Sequence, residues 1–273
     1  MRLPAVPALL VAVTCAVVAA VPAPARADDQ HADEVKVGAG VYADFKAKGL
    51  LVADSPYAAI LQRVGGRIAS VAGLHGFRER FYIVIGNQMN AFSAPDGRVY
   101  VNEGLLRQVD NEAELANVLA HESAHLVLGH VAAQMRVQKR RGLFERVKGV
   151  IEQHSDVAGR ALDAANLVAN YAFLNFTRQQ EYEADHRGVQ IAANAGYDPW
   201  GTVWFLHAVY RLDGDSGYES YVQHHPSVTE RIAKIEAYFK SDPSFFRRWS
   251  STPPPGSGLP VGWLRALGAE SAA

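Results

Sequence analysis

The sequence predicts an α+β fold that is mostly helical, with a small β-sheet or hairpin beside one central helix. Apolar residues recur at helical spacing over most of the chain. The β-rich runs are confined to residues 81–102. They lie just before a long helical pattern that contains the stretch His121-Glu122-Ser123-Ala124-His125.

Residues 1–27 are predicted to be a secretory signal peptide. Arg2 is the only charged residue before Arg26, the stretch between them is apolar or small, and a small-x-small sequence precedes position 28. The only cysteine of the chain, Cys15, lies in this stretch. A lipid-acceptor cysteine needs a leucine-like residue at minus three, and because Ala12 stands there, a lipoprotein is not expected. The protein is therefore expected to be exported, to a periplasm or the medium.

The rest of the chain is predicted to form one domain, 28–250, and a Pro/Gly/Ser-rich C-terminal tail, 251–273. Without the two arginines of the signal peptide, 25 basic residues (27 − 2) face 28 acidic residues, which excludes the electrostatic footprint of a nucleic-acid-binding protein. No later uncharged apolar run approaches the roughly 20 residues of a transmembrane helix. The basic run 136–148 leaves peripheral contact with anionic lipid as an alternative to a solvated helix end. The sequence does not indicate an oligomeric state.

Turn and cap residues predict the elements before the motif. Residues 28–51 have a weak helical pattern. A firmer helix is predicted to start with Ser55 as its N-cap and Pro56 in its first turn. Phe81–Ile85 is a predicted strand, and two further β-rich runs flank the turn Pro95-Asp96-Gly97, which predicts a hairpin. The second run, 98–102, alternates like a half-buried strand and is expected to offer its edge to an extended substrate. The helix after Ser55 should bury one face, formed by Ile60, Leu61, Val64 and Ile68.

Helices are predicted for the remainder of the domain. Asn111 is the predicted N-cap of the motif helix, with Glu114 as its capping-box partner and Asp110 as an alternative cap. This helix is expected to end near Arg141-Gly142. Further helices are predicted over 147–176 and 178–195, from Asp198-Pro199 to Leu212, and from a capping box of Ser227 and Glu230 to Lys240.

Two histidines four residues apart, with a glutamate directly after the first, indicate a metal site. On a helix, His121 and His125 share one face and can bind one ion. Glu122 lies about 100° round the helix, where it can act on a water molecule beside the metal without being a ligand. The predicted mature chain has no cysteine, so a third ligand must be His, Asp or Glu. His130 is rejected because, on a continuous helix, it lies about 140° away from His125.

The best candidate for a third ligand lies in Glu181-Tyr182-Glu183-Ala184-Asp185. Glu181 and Asp185 share a helix face, so one can bind the metal while the other accepts the outer N–H of a ligand histidine. Glu183 points to the opposite side and is predicted to be a surface charge. By pattern alone, an acidic helix surface explains Glu181 equally well.

The two motifs, taken together and in this order, resemble those of a known family. The second motif begins 56 residues (181 − 125) after the second histidine. The pair HESAH and EYEAD resembles the gluzincin family of the HtpX, Oma and type I CAAX prenyl proteases. Three further stretches fit the same family, and the resemblance spans about residues 55–240: Asn90 to Leu106, Gly196 to Pro199, and His225-Pro226 with Arg231-Ile232.

The resemblance implies a zincin-like metallopeptidase domain that carries one Zn²⁺. It implies that His121, His125 and Glu181 bind the zinc and that Glu122 is the catalytic base. It also implies that Asp185 supports the ligands without binding the metal. Because no transmembrane helix is predicted, the chain resembles the soluble, exported members.

The expected function is zinc-dependent hydrolysis of peptide bonds in unfolded or flexible polypeptides, in envelope protein quality control. The alternative is a non-catalytic binding protein or chaperone that keeps a metal-stabilised fold. Glu122 separates the two, because hydrolysis needs a base and folding does not. His225 is a candidate for regulation, by reaching the zinc, or for oxyanion binding. Arg231 and Tyr182 are further oxyanion candidates.

Overall fold

The computed structural model describes residues 27–140, 176–212 and 216–254. Nearly all of the predicted signal peptide, most of the basic run 136–148, nearly all of the helical pattern at 147–176 and the tail beyond residue 254 lie outside these ranges. Within them, the elements are α1 (Ala27–Ala47), α2 (Ala58–Ala72), β1 (Arg80–Val84), β2 (Ala91–Ser93), β3 (Arg98–Asn102), α3 (Glu103–Leu106), α4 (Glu112–Val127), α5 (His130–Arg140), α6 (Arg178–Asn194), α7 (Gly201–Arg211), α8 (Ser216–His224), α9 (Val228–Ser241) and α10 (Pro243–Phe246). The prediction of a mostly helical α+β fold is confirmed.

The strands form a three-stranded sheet in the order β1-β3-β2. β2 and β3 are the predicted antiparallel hairpin, with Phe92 opposite Tyr100, and β1 runs parallel to β3. All five residues of β3 are buried. The prediction of a half-buried strand with a free edge at 98–102 is wrong, because β3 is the central strand and has a neighbour on each edge.

The two faces of the sheet pack against different helices. On one face, Phe45 of α1 meets Tyr100 with ring centroids 5.1 Å apart, in a small cluster of its own. On the other face, Val99 and Val101 join the main core with α2 and α4, because alternate residues of a strand point to opposite faces. The predicted apolar face of α2 is buried there. No helix in the described ranges combines the length and the apolarity needed to cross a membrane.

Helix starts agree with the sequence at α4 but differ at two other predicted caps. Asn111 Oδ1 accepts the N–H of Glu114 at 2.9 Å, as predicted. Ser55 Oγ instead accepts the N–H of Tyr57 at 3.3 Å, within a turn, and α2 begins after that turn. Ser227 has φ 68° and makes no side-chain capping bond, whereas N-caps of this kind normally have an extended backbone. The predicted capping box at the start of α9 is therefore wrong.

The predicted single helix from Asn111 to Arg141 is two helices. α4 ends at Val127, and Gly129 has φ 71°, a left-handed conformation that favours glycine and commonly terminates helices. α5 begins at the next residue, His130. The break gives His130 a different direction from the one expected on a continuous helix.

α6 lies closely against α4 along the motif. A Cβ at Gly188 would come within 3.1 Å of the Cα of His121 and 3.2 Å of its backbone nitrogen. The missing side chain allows the two helices to approach each other at this point. Glu181 lies about two turns before Gly188 on α6, so this approach brings its carboxylate to the two histidines of α4.

Candidate active site

Four buried side chains converge where α4, α6 and the end of α8 meet. His121, His125, Glu181 and His225 each offer one ligand atom, and these atoms lie within 4.8 Å of one another. His121 Nε2 and His125 Nε2 are 3.0 Å apart. Oε2 of Glu181 lies 3.5 Å from the His121 nitrogen, and Oε1 lies 3.4 Å from the His125 nitrogen. The structure thus brings the three sequence-predicted ligands together with His225, the residue that the sequence analysis gave as a regulatory candidate able to reach the zinc.

The donor set suits a divalent transition metal. Two imidazole nitrogens and a carboxylate are a common ligand set of hydrolytic zinc sites. Glu181 Oε1 is buried and has no hydrogen-bond partner among the described residues, so its lone pairs are available to a cation. Burial lowers the pKa of His125 to about 3 and thereby favours the neutral ring that a metal requires.

Glu122 lies beside the converging donors and is held by a neutral partner. Ser93 Oγ, on β2, donates to Glu122 Oε2 at 2.9 Å. The other oxygen, Oε1, lies 3.7 Å from His225 Nε2. Glu122 is only 2% exposed, and this burial raises the pKa of its carboxyl above the ordinary value, although His225 and His121 oppose the shift. Such a carboxylate can accept a proton during a reaction.

Asp185 connects His121 to a buried arginine. Its Oδ1 lies 3.0 Å from His121 Nδ1, so the outer ring nitrogen of His121 has a carboxylate partner. Arg231 grips the same carboxylate with two bonds of 2.7 Å from Nε and Nη2. Burial alone would raise the pKa of Asp185, but the charge of Arg231 keeps it below the ordinary value.

Arg231 is fully engaged with protein groups. Its third nitrogen, Nη1, lies 2.9 Å from Glu181 Oε2 and donates to Tyr221 Oη at 3.2 Å. All three guanidinium nitrogens therefore face residues of the site. The arrangement favours a role in placing Asp185 and Glu181 over the predicted role in binding an oxyanion. Tyr182 is turned away, since its hydroxyl donates to Glu230 on the surface.

Tyr221 was not found by the sequence analysis. Its ring stacks on His225, with centroids 5.0 Å apart and an interplanar angle of 26°. Tyr221 precedes His225 by four residues, and this spacing is the signal that could have indicated a shared face at the end of α8. His225 is thus supported on one side by Tyr221 and contacts Glu181 on another, with Nδ1 3.2 Å from Oε2.

His125 also has neighbours that the sequence did not predict. Phe176, which directly precedes the N-cap of α6, stacks on its ring with centroids 3.7 Å apart. His130 Nδ1 lies 3.1 Å from His125 Nδ1, on the side of the ring away from the converging donors. Glu183, the predicted surface charge, is half exposed and lies 3.2 Å from His130 Nε2. His130 therefore lies behind a predicted ligand and not among the converging donor atoms.

Comparisons with known proteins cover the part of the chain that contains this site. The model of Peptidase family M48 matches residues 57–239. The beta-barrel assembly-enhancing protease of Yersinia pestis is 32% identical over 179 residues, which cover 63% of this chain and 37% of that protein. The mitochondrial metalloendopeptidase OMA1 of Schizosaccharomyces pombe is 30% identical over 189 residues, which cover 67% of this chain and 53% of that protein. Metalloprotease YcaL of Escherichia coli is 27% identical over 187 residues, or 63% and 69% of the two chains.

The chain spans between 37% and 53% of the length of the first two of these relatives. The family model, by contrast, covers most of this chain, including both motifs and the helices that carry the four converging side chains. The protein therefore belongs to Peptidase family M48, and its fold is that of a zincin-like metallopeptidase domain.

Proposed function

We propose that this protein is a zinc endopeptidase in which His121, His125 and Glu181 bind one Zn²⁺ and Glu122 is the general base. The observation that supports this assignment best is the position of Glu122. It adjoins the converging donors, yet its carboxylate is held by Ser93 and stands apart from the ligand group. A carboxylate placed in this way is available for proton transfer.

When bound, zinc polarises the peptide carbonyl and makes a neighbouring water acidic enough to lose a proton near neutral pH. Glu122 takes that proton and delivers it to the leaving amine. The burial that raises the pKa of Glu122 suits this double task, because the group must hold the proton between the two transfers. Asp185 and Arg231 keep the ring of His121 in the orientation that directs Nε2 to the metal.

The test of this proposal compares the wild-type protein with Glu122→Gln. The substitution keeps the size of the side chain and removes the base. We expect zinc binding to be retained and digestion of casein to be lost, by at least about 100-fold, which is the low end of general-base contributions. Equal digestion by both proteins contradicts the mechanism. Bound zinc without any digestion by the wild type favours the alternative of a non-catalytic binding protein.

The substrate is proposed to bind along the outer edge of β2. Asn90 and Ala94 use their backbone groups to pair with β3. Ala91 and Ser93 therefore direct their backbone groups away from β3, and no strand pairs with that edge among the described residues. Ala91 and Ser93 are buried, so an extended chain can add there only after the groups that cover this edge move aside. It would bind through backbone bonds, which do not depend on side-chain identity. This supports action on unfolded or flexible polypeptides.

His225 is proposed to hold the site in a closed, inactive arrangement. It is the fourth converging donor, and its two ring nitrogens lie near Glu181 and Glu122, in the space that water and a substrate carbonyl require. For His225→Ala, we expect faster cleavage of a flexible peptide, with the zinc content unchanged. Slower cleavage instead assigns His225 to oxyanion binding, and an unchanged rate contradicts both roles.

The place of action is proposed to be the periplasm or the medium, in protein quality control of the cell envelope. The composition of residues 1–27 supports export. The name of one relative, a beta-barrel assembly-enhancing protease, connects that relative with the assembly of beta-barrels. Fractionation of cells that produce the full chain and the chain without residues 1–27 tests the proposal. Both forms remaining in the cytoplasm contradict export.

A further inference from the structure

We propose that His130 and Glu183 are positioning residues that fix His125 in its metal-binding tautomer. The chain of contacts runs from Glu183 Oε2 to His130 Nε2 at 3.2 Å, and from His130 Nδ1 to His125 Nδ1 at 3.1 Å. His125 Nε2 then faces the other donors, 3.0 Å from His121 Nε2. This inference rests on the metal site of the proposed function.

The direction of the hydrogen bonds follows from the groups involved. A carboxylate only accepts, so the N–H of His130 must be on Nε2. A neutral imidazole then has its lone pair on Nδ1, which can only accept the N–H of His125 Nδ1. The remaining nitrogen of His125, Nε2, is left with a lone pair directed at the metal position. One carboxylate at the protein surface thus determines the tautomer of two successive rings.

The fold provides a specific geometry for this chain. The left-handed Gly129 ends α4 and starts α5 at His130, which turns the ring of His130 back toward His125. His130 is 5% exposed and therefore shielded from competing water. Glu183 is held from its other oxygen by Gln179 Nε2 at 2.8 Å. The arrangement parallels the direct contact of His121 with Asp185, with one imidazole inserted between ring and carboxylate.

The test measures zinc affinity of the metal-free full chain by competition with a chromophoric chelator. Partners that orient ligand histidines typically contribute about 10–100-fold in affinity, and we expect a loss of that size for His130→Ala. His130→Asn keeps an acceptor at the position of Nδ1, so we expect a smaller loss. Glu183→Ala should also weaken binding, but less than His130→Ala, because water can replace the half-exposed carboxylate. His75→Ala, an exposed histidine outside the site, is the control.

Absorption spectra of the cobalt(II)-loaded proteins provide a second readout, since a misplaced His125 changes the ligand field while a distant packing defect does not. Thermal unfolding of the metal-free variants shows whether they fold. The proposal is overturned if folded His130→Ala binds zinc like the wild type, or if His130→Asn is as weak as His130→Ala. If His130→Ala does not fold, unchanged affinity of Glu183→Ala overturns it. A wild-type chain that binds no zinc refutes the proposed function itself, which is a different outcome.

Discussion

At the scale of single residues, three buried carboxylates of the site differ in their partners and hence in their roles. Among the described residues, Oε1 of Glu181 has no hydrogen-bond partner, and it lies 3.4 Å from Nε2 of His125. Asp185 has both oxygens occupied by Arg231, and one of them also contacts His121. Glu122 receives only a neutral hydroxyl as a close donor, which leaves it able to take up a proton.

Ser93→Ala is expected to lower kcat with little change in KM. The hydroxyl of Ser93 orients the carboxylate of Glu122. The proposed substrate contacts at this residue use backbone groups, which the substitution keeps. Hydrogen bonds to charged groups contribute about 1.5–3 kcal/mol, which corresponds to a loss of roughly 10-fold or more in kcat. Steady-state kinetics on a fluorogenic peptide measures both constants.

Ser70→Ala serves as the control for this experiment, because its exposed hydroxyl on α2 donates to the carbonyl of Arg67 and, among the described residues, makes no bond to the site. Bound zinc should be the same in both variants, since Ser93 touches none of the proposed ligands. A change in KM alone would mean that Ser93 contributes to binding and not to the base.

The sequence predicted those site residues whose relation is local. His121, Glu122 and His125 follow from spacing on one helix, and Glu181 follows from the resemblance of a second motif. Ser93, His130, Tyr221 and Phe176 were missed because their contacts depend on how separate elements pack. For His130, the prediction of its direction assumed a continuous helix, whereas α4 ends at Val127, before the left-handed Gly129.

At the scale of elements, the site depends on the close approach of α4 and α6. Gly188 permits this approach next to His121. A methyl group there must push the helices apart or distort them, because interiors are close-packed and the atoms it meets belong to the backbone. Since Glu181 and the histidines lie on opposite sides of this contact, their separation should grow with it.

Gly188→Ala is therefore expected to lower the free energy of unfolding by about 1–3 kcal/mol and to weaken zinc binding. Gly66→Ala on α2 is the matched control, because nothing lies within 4 Å of a Cβ at that position. That control should be neutral or stabilising by roughly 0.5–1 kcal/mol. Chemical denaturation and chelator competition check the pair. Equal stability of both variants contradicts the packing argument.

Element positions were predictable where one residue type dominates the local conformation. The cap at Asn111 and the turn before β3 are examples, because both use short-range hydrogen bonds that the sequence displays. A serine hydroxyl can cap a helix or bond within a turn, and the conformation of the surrounding backbone decides between the two. The sequence around Ser55 and Ser227 did not reveal that conformation. The burial of β3 was not predicted because β1, which covers its second edge, is separated from it in sequence by β2. A parallel pairing of this kind depends on tertiary packing.

At the scale of the whole molecule, a metal ion would link parts of the chain that are distant in sequence. Its proposed ligands come from α4 and α6, and the segment between those helices includes residues 141–175, which lie outside the described ranges. A ligand that binds only the folded state stabilises it by mass action. The fold class and family were predictable at this scale because two motifs in a fixed order constrain most of the chain.

Removal of zinc with a chelator is expected to lower the Tm of the wild type. At free zinc 100 times the Kd, the ion contributes about 2.7 kcal/mol, or roughly 5–10 °C for a domain of this size. Glu122→Gln should show the same shift, because Glu122 is not a proposed ligand, whereas Glu181→Ala should show almost none. Differential scanning calorimetry measures the shifts. Identical Tm values of the zinc-loaded and stripped wild type contradict the proposed ligand set.

The brevity of β2 has a consequence for the proposed polypeptide substrates. The proposed substrate edge, which has three residues, can pair with only a few peptide units of an extended polypeptide. A substrate must first release those units from its own helices and sheets. The few backbone bonds at this edge offset little of the free energy of that local unfolding. Turnover should then follow how often a substrate frays at one short stretch, so that damaged or unassembled chains are cut while their well-packed counterparts survive beside them.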